Sequence, residues 1–79
     1  MNKILDYFST SDIGLTTVLS LFCHIDSIDR TNPLRVVFYF KREVGLDEYV
    51  QAYWNGELAI EPQKLLAERR KLQIRINET

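Results

Sequence analysis

The stretch Arg35-Val36-Val37-Phe38-Tyr39-Phe40-Lys41 decides the fold of this 79-residue chain. β-branched and aromatic residues fill its interior and a cation closes each end, the make-up of a strand packed on a pleated surface. Side chains alternate across a strand, so Val36, Phe38 and Phe40 share one face while Val37 and Tyr39 share the other. The first of these faces is expected in the core. Upstream, Arg30-Thr31-Asn32-Pro33 is turn chemistry. Residues 24–29 alternate in part, with Ile25 and Ile28 as apolar anchors. Two extended runs on either side of the Asn-Pro turn predict an antiparallel hairpin.

Further towards the N-terminus, residues 4–8 form a short apolar run, interrupted by Asp6, that reads as a short strand or an extended lead-in. Ser9-Thr10-Ser11-Asp12 is a helix-start signal, because hydroxyl and carboxylate side chains accept from the free N–H groups of a first turn. Leu15, Val18, Leu19 and Phe22 then fall at i, i+3, i+4 and i+7, one apolar stripe of a helix. Gly14 and Thr16-Thr17 weaken that helix intrinsically, so packing must hold it. On the other side of the hairpin, Gly45 ends the strand region. Leu46, Tyr49, Val50 and Tyr53 give a second helical stripe, with Asp47 and Glu48 near the positive end of its dipole. Asn55-Gly56 stops it. Pro62 suits the first residue of a third helix. Leu65, Leu72 and Ile76 share a face of that helix, with Arg69 among them. Leu72, Ile74 and Ile76 also alternate as a strand would, but the helix formers of 64–71 favour helix through about Ile76. The expected fold is α+β, a small antiparallel sheet covered by helices in the order β-α-β-β-α-α.

Composition narrows the function classes. Length allows a single domain, 1–79, and a chain this short buries only about 60% of its unfolded surface. Hydrophobic residues make up 46% of it and aromatics 11%, which excludes wholesale disorder and leaves aromatic surface for a partner or a second copy. The net charge is −1, whereas a dedicated nucleic-acid binder is usually strongly basic. The charge is uneven: residues 1–33 carry 2 cations against 4 acids, and residues 61–79 carry 5 against 3. The single cysteine, the lack of a signal-peptide pattern and the absence of a run near the ~20 residues of a membrane span point to a cytoplasmic protein.

No constellation assembles an active site, so the chain is expected not to be an enzyme and to need no cofactor or metal. Cys23 and His24 are adjacent, but neighbours in a strand diverge and a zinc site needs about four ligands. Asp26 and Asp29 are expected to bracket a turn and serve its backbone, and nothing gathers them with Asp47, Glu48 or Glu57. Gly45 and Gly56 are punctuation. Lys64 can pair with Glu68 at i, i+4. Trp54 falls about 100° from Tyr53 around its helix and is expected to be partly exposed, although core packing is the commoner fate of aromatics in this helix. Leu66 and Ile74 fall off the buried stripe of the last helix. The candidate partner interface is therefore Trp54, Arg69, Arg70 and Ile74, with Arg35 at the end of the hairpin.

The sequence resembles a family of small bacterial and phage proteins known only as a domain of unknown function. The resemblance is carried by Thr10-Ser11-Asp12, Ile28-Asp29, the strand Arg35 to Phe40, Tyr53-Trp54-Asn55-Gly56-Glu57-Leu58 and Arg69-Arg70-Lys71-Leu72. It implies a phage, prophage or mobile-element setting and no assigned active site. The expected role is a non-catalytic accessory protein that binds a protein partner, or itself as a homodimer, inhibition of a host nuclease or defence complex being one version. The alternative is a small nucleic-acid-binding or regulatory protein that uses the basic C-terminal helix. No membrane association is expected.

Overall fold

A computed structural model describes residues 6–77, and the elements follow the expected order. They are β1 (Tyr7–Thr10), α1 (Ile13–Phe22), β2 (Ile25–Asp29), β3 (Val37–Lys41), α2 (Leu46–Trp54) and α3 (Pro62–Asn77). The fold is α+β. The sheet has three strands in the order β1-β3-β2, with β3 antiparallel to both neighbours. β1 and β2 therefore run parallel to each other with β3 between them. Two parallel strands cannot be joined by a tight turn, and α1 supplies the crossover.

Phe38 and Phe40 are fully buried, in one cluster with Leu15 and Leu19 of α1, Leu46 of α2 and Leu72 of α3. All three helices thus contribute to a core on one face of the sheet. The opposite face carries Val37 and Tyr39, half-buried, and Lys41, exposed. The register explains how β2 joins this core. Ile25 lies opposite Phe40 and Ile28 opposite Phe38, although the isoleucines are three residues apart and the phenylalanines two. A bulge at Asp26 absorbs the extra residue, so both isoleucines reach the helix side. That is the reason residues 24–29 alternate only in part.

Local signals set the ends. The helix-start signal divides in two: Ser9 and Thr10 finish β1, and Asp12 caps α1, its Oδ1 accepting from Leu15 N–H at 2.8 Å. Ile4 and Leu5, expected to begin the first strand, lie outside the described residues. Thr16 and Thr17 are buried mid-helix, where a hydroxyl needs a partner, and each donates to the carbonyl four residues back, Asp12 at 2.8 Å and Ile13 at 2.7 Å. Gly45 opens α2 at φ 93°, a left-handed conformation that a side chain would strain. At its other end Gly56 N–H donates to the Tyr53 carbonyl and Glu57 N–H to that of Ala52, the paired bonds of a Schellman stop. The Glu61 carboxylate caps α3, accepting from Gln63 and Lys64 N–H at 2.9 and 3.1 Å. Asp29 accepts from Thr31, hydroxyl and N–H, which lowers its pKa and shapes the β2–β3 turn.

Three expectations are corrected. Phe22, placed on the inward stripe of α1, is 45% exposed, because the helix ends there and the ring stacks on Tyr49 instead, with centroids 4.3 Å apart. Asp26 does not flank the turn; it is the bulge residue within β2. Glu68 pairs with Lys71 at 3.2 Å, while Lys64 lines a depression beside Leu21 and Phe22.

Phe38 is the centre of this packing. Phe38→Ala should cost about 3–5 kcal/mol, the transfer loss of the ring plus the cavity it leaves. That approaches the whole stability of a domain this small. Urea unfolding measures it; a midpoint close to wild type would show that β3 is not the inward-facing strand.

Candidate interaction surface

The helices α1, α2 and α3 leave a shallow depression of about 190 Å³ where the N-terminal halves of α1 and α3 meet the end of α2. Thr17 and Val18 form its α1 wall, Tyr53 closes the α2 end, and Leu65, Leu66 and Arg69 come from α3. The stripe of α3 explains the arrangement. Leu72 is buried, Leu65 and Ile76 are half-buried, and Arg69 sits exposed at the edge of that stripe. Leu66 is 63% exposed and Ile74 57%, as expected of residues off the stripe. Arg70, between them at helical spacing, is also exposed.

Gly14 lets the depression form as it does. A Cβ there would lie 2.5 Å from the Tyr53 hydroxyl and 3.3 Å from Asp12 Oδ1. The tyrosine ring can therefore lie over the first turn of α1 only because glycine occupies this position. Burial, and then the Asp12 carboxylate, push the Tyr53 phenol above its ordinary pKa. Trp54 stands edge-on to Tyr53, centroids 4.9 Å apart, and is 60% exposed. Tyr53 thus links two of the sequence candidates, Trp54 and Arg69, around one apolar hollow. Arg70 and Ile74 continue along α3. Arg35 belongs to another element, the β2–β3 turn, where its N–H donates to the Asn32 carbonyl. Sequence reading left out Gly14, Thr17 and Tyr53 as parts of this surface. Gly14 was visible only as a helix-weakening residue, and Tyr53 only as a member of an inward stripe.

A larger groove of about 540 Å³ lies on the other side of α3, against the end of α1. Cys23 and His24 both line it; Cys23 lies in extended backbone, and the one side chain is buried while the other is exposed, as expected of neighbours that diverge. Cys23 is buried, and burial followed by the Glu43 carboxylate raises its thiol pKa. A nucleophilic cysteine needs the opposite shift. Among the described residues no three His, Cys, Asp or Glu side chains gather closely enough to hold a metal ion. No helix among them is long and apolar enough to cross a membrane.

Two predictions follow from these contacts. Gly14→Ala should lose stability despite a helix-propensity gain of up to ~1 kcal/mol, and should recover it in a Tyr53→Phe background, where the clashing oxygen is gone. Thermal melts of the four proteins form the cycle; independent effects would refute the Gly14–Tyr53 contact. The second concerns pH. A thiol whose pKa is higher folded than unfolded stabilises the fold fully below the unfolded value, about 8.5, and loses that contribution as pH rises through the folded value. Wild type should therefore lose more stability above about pH 8.5 than Cys23→Ala does, as read by urea unfolding across that window.

No curated protein matches the chain, and no solved structure does. The family described as domain of unknown function DUF5659 matches residues 5–77, nearly the whole chain. The small α+β unit described above is thus a member of the DUF5659 family, a domain of unknown function.

Proposed function

We propose that this protein is a non-catalytic protein-binding module, serving as an accessory factor of a phage or other mobile element, and that it binds through the hollow lined by Tyr53, Leu66 and Arg69, together with Trp54 packed on Tyr53. The observation that carries this reading is the exposure of large apolar side chains at one apolar depression: Leu66, 63% exposed, in its lining, and Trp54, 60% exposed, packed edge-on against the lining residue Tyr53. Exposed tryptophan and arginine beside a small pocket are the usual anchors of protein interfaces. A charged rim favours the same reading: Arg69 and Arg70 can pair bidentately with carboxylates of a partner while their stems lie along apolar surface. Inhibition of a host nuclease or defence complex is one form such binding takes. A homodimer through the same hollow is the other.

Trp54→Ala combined with Leu66→Asp tests it. Both side chains are exposed, so the variant should keep the wild-type circular dichroism spectrum. It should lose partner capture from host extract, or, for a self-interface, the concentration-dependent mass seen by light scattering. Hot-spot truncations of this kind cost about 2 kcal/mol or more in binding, some thirtyfold in affinity. Capture and mass both unchanged in a folded variant would remove this face from consideration.

A further inference from the structure

We infer that the groove between α1 and α3, on the side of α3 away from the hollow, binds single-stranded nucleic acid. A larger section of about 540 Å³ and a neighbouring smaller one of about 230 Å³ have Leu21 in both linings. Three cations of α3 line them: Lys64 in the smaller section, Lys71 and Arg75 in the larger. Their spacing, i, i+7 and i+11, puts them on one face over about 16 Å of helix. Arg30 extends the row past the end of α3, where its guanidinium donates to the Arg75 carbonyl at 2.6 Å.

Two acids line the groove against the three cations of α3. Glu61 spends its carboxylate on the N–H groups of Gln63 and Lys64, and Glu68, whose side chain is only 18% exposed, pairs with Lys71. Glu43 contributes a field at Cys23 from the β3–α2 connection. Among the described residues, Lys64, Arg75 and Arg30 form no ion pair with a carboxylate. An overall charge of −1 thus conceals a cationic row along one concave feature.

The rings select the form of the polyanion. Phe22, 45% exposed beside the smaller section, stacks one face on Tyr49 and leaves the other open. His24 is exposed in the larger section. Cations tracking a backbone beside rings that can stack on unpaired bases are the means by which single strands are held without base readout. A duplex keeps its bases stacked inside and cannot use the rings.

Fluorescence anisotropy of a labelled single strand of about ten nucleotides tests this at rising salt. Saturable binding is expected at about 50 mM salt, with log K falling against log salt at a slope near −2, as about three phosphates neutralised by Lys64, Arg75 and Arg30 at ~0.7 each require. Lys64→Gln with Arg75→Gln, both exposed and checked for folding by circular dichroism, should weaken binding about tenfold and make the slope shallower by about 1.4. The same sequence as a duplex, and polyglutamate as competitor, should bind less well than the single strand. Four results would each overturn the inference: no saturable binding at low salt, an unchanged slope in the variant, a duplex bound as tightly, or polyglutamate competing equally. Trp54→Ala with Leu66→Asp should leave oligonucleotide binding intact, so the two surfaces succeed or fail separately.

Discussion

Everything in this molecule hangs on the burial of Phe38 and Phe40 on β3. This strand alone is paired along both edges, and its two rings are fully buried among side chains from all three helices. Burying such a side chain stabilises by about 1.5–3 kcal/mol against leaving it in water, a large share of what a small domain has to spare. The other elements can be understood as ways of reaching these two rings. β1 aligns Phe8 with Phe40 and Thr10 with Phe38. β2 needs a bulge at Asp26 to bring Ile25 and Ile28 into line with the same pair. α1, which has poor intrinsic propensity, is held because Leu15 and Leu19 are buried against them and because Thr16 and Thr17 satisfy their own hydroxyls.

A core this economical leaves much of the third helix over. A 16-residue helix presents a stripe to the interior, and here Leu72 is its one fully committed residue. The two flanks of α3 are consequently free to differ. One flank meets α1 and the end of α2 and is apolar, rimmed by Leu66 and Arg69. The other meets the end of α1 and carries Lys64, Lys71 and Arg75. The two flanks of one helix thus differ in chemistry.

Aromatic residues show the same division. Tyr53 and Tyr49 each end up half in the core and half in support of an exposed ring, Trp54 in one case and Phe22 in the other. An amphipathic ring at the edge of a small core holds a neighbouring ring in a fixed position, so less side-chain freedom is left to lose there. Gly14 has a comparable supporting role, since its missing side chain lets Tyr53 approach α1.

By itself the sequence determined the elements, their order and most of their limits, because these depend on local physics: the alternation of 35–41, the Asp12 cap, the Asn55-Gly56 stop, Pro62 at a helix start. It also determined that Leu66 and Ile74 fall off the buried stripe of α3, since a helical period fixes angles around one axis. It did not determine the order of strands, the bulge that lines up Ile25 with Phe40, or the exposure of Phe22. Each of those depends on where separate elements lie relative to one another, and a period read along the chain carries no such distances. Only the tertiary structure brought Tyr53 over Gly14 beside Arg69, and set Arg30 against Arg75 across 45 residues of chain, turning scattered aromatic and basic residues into two surfaces.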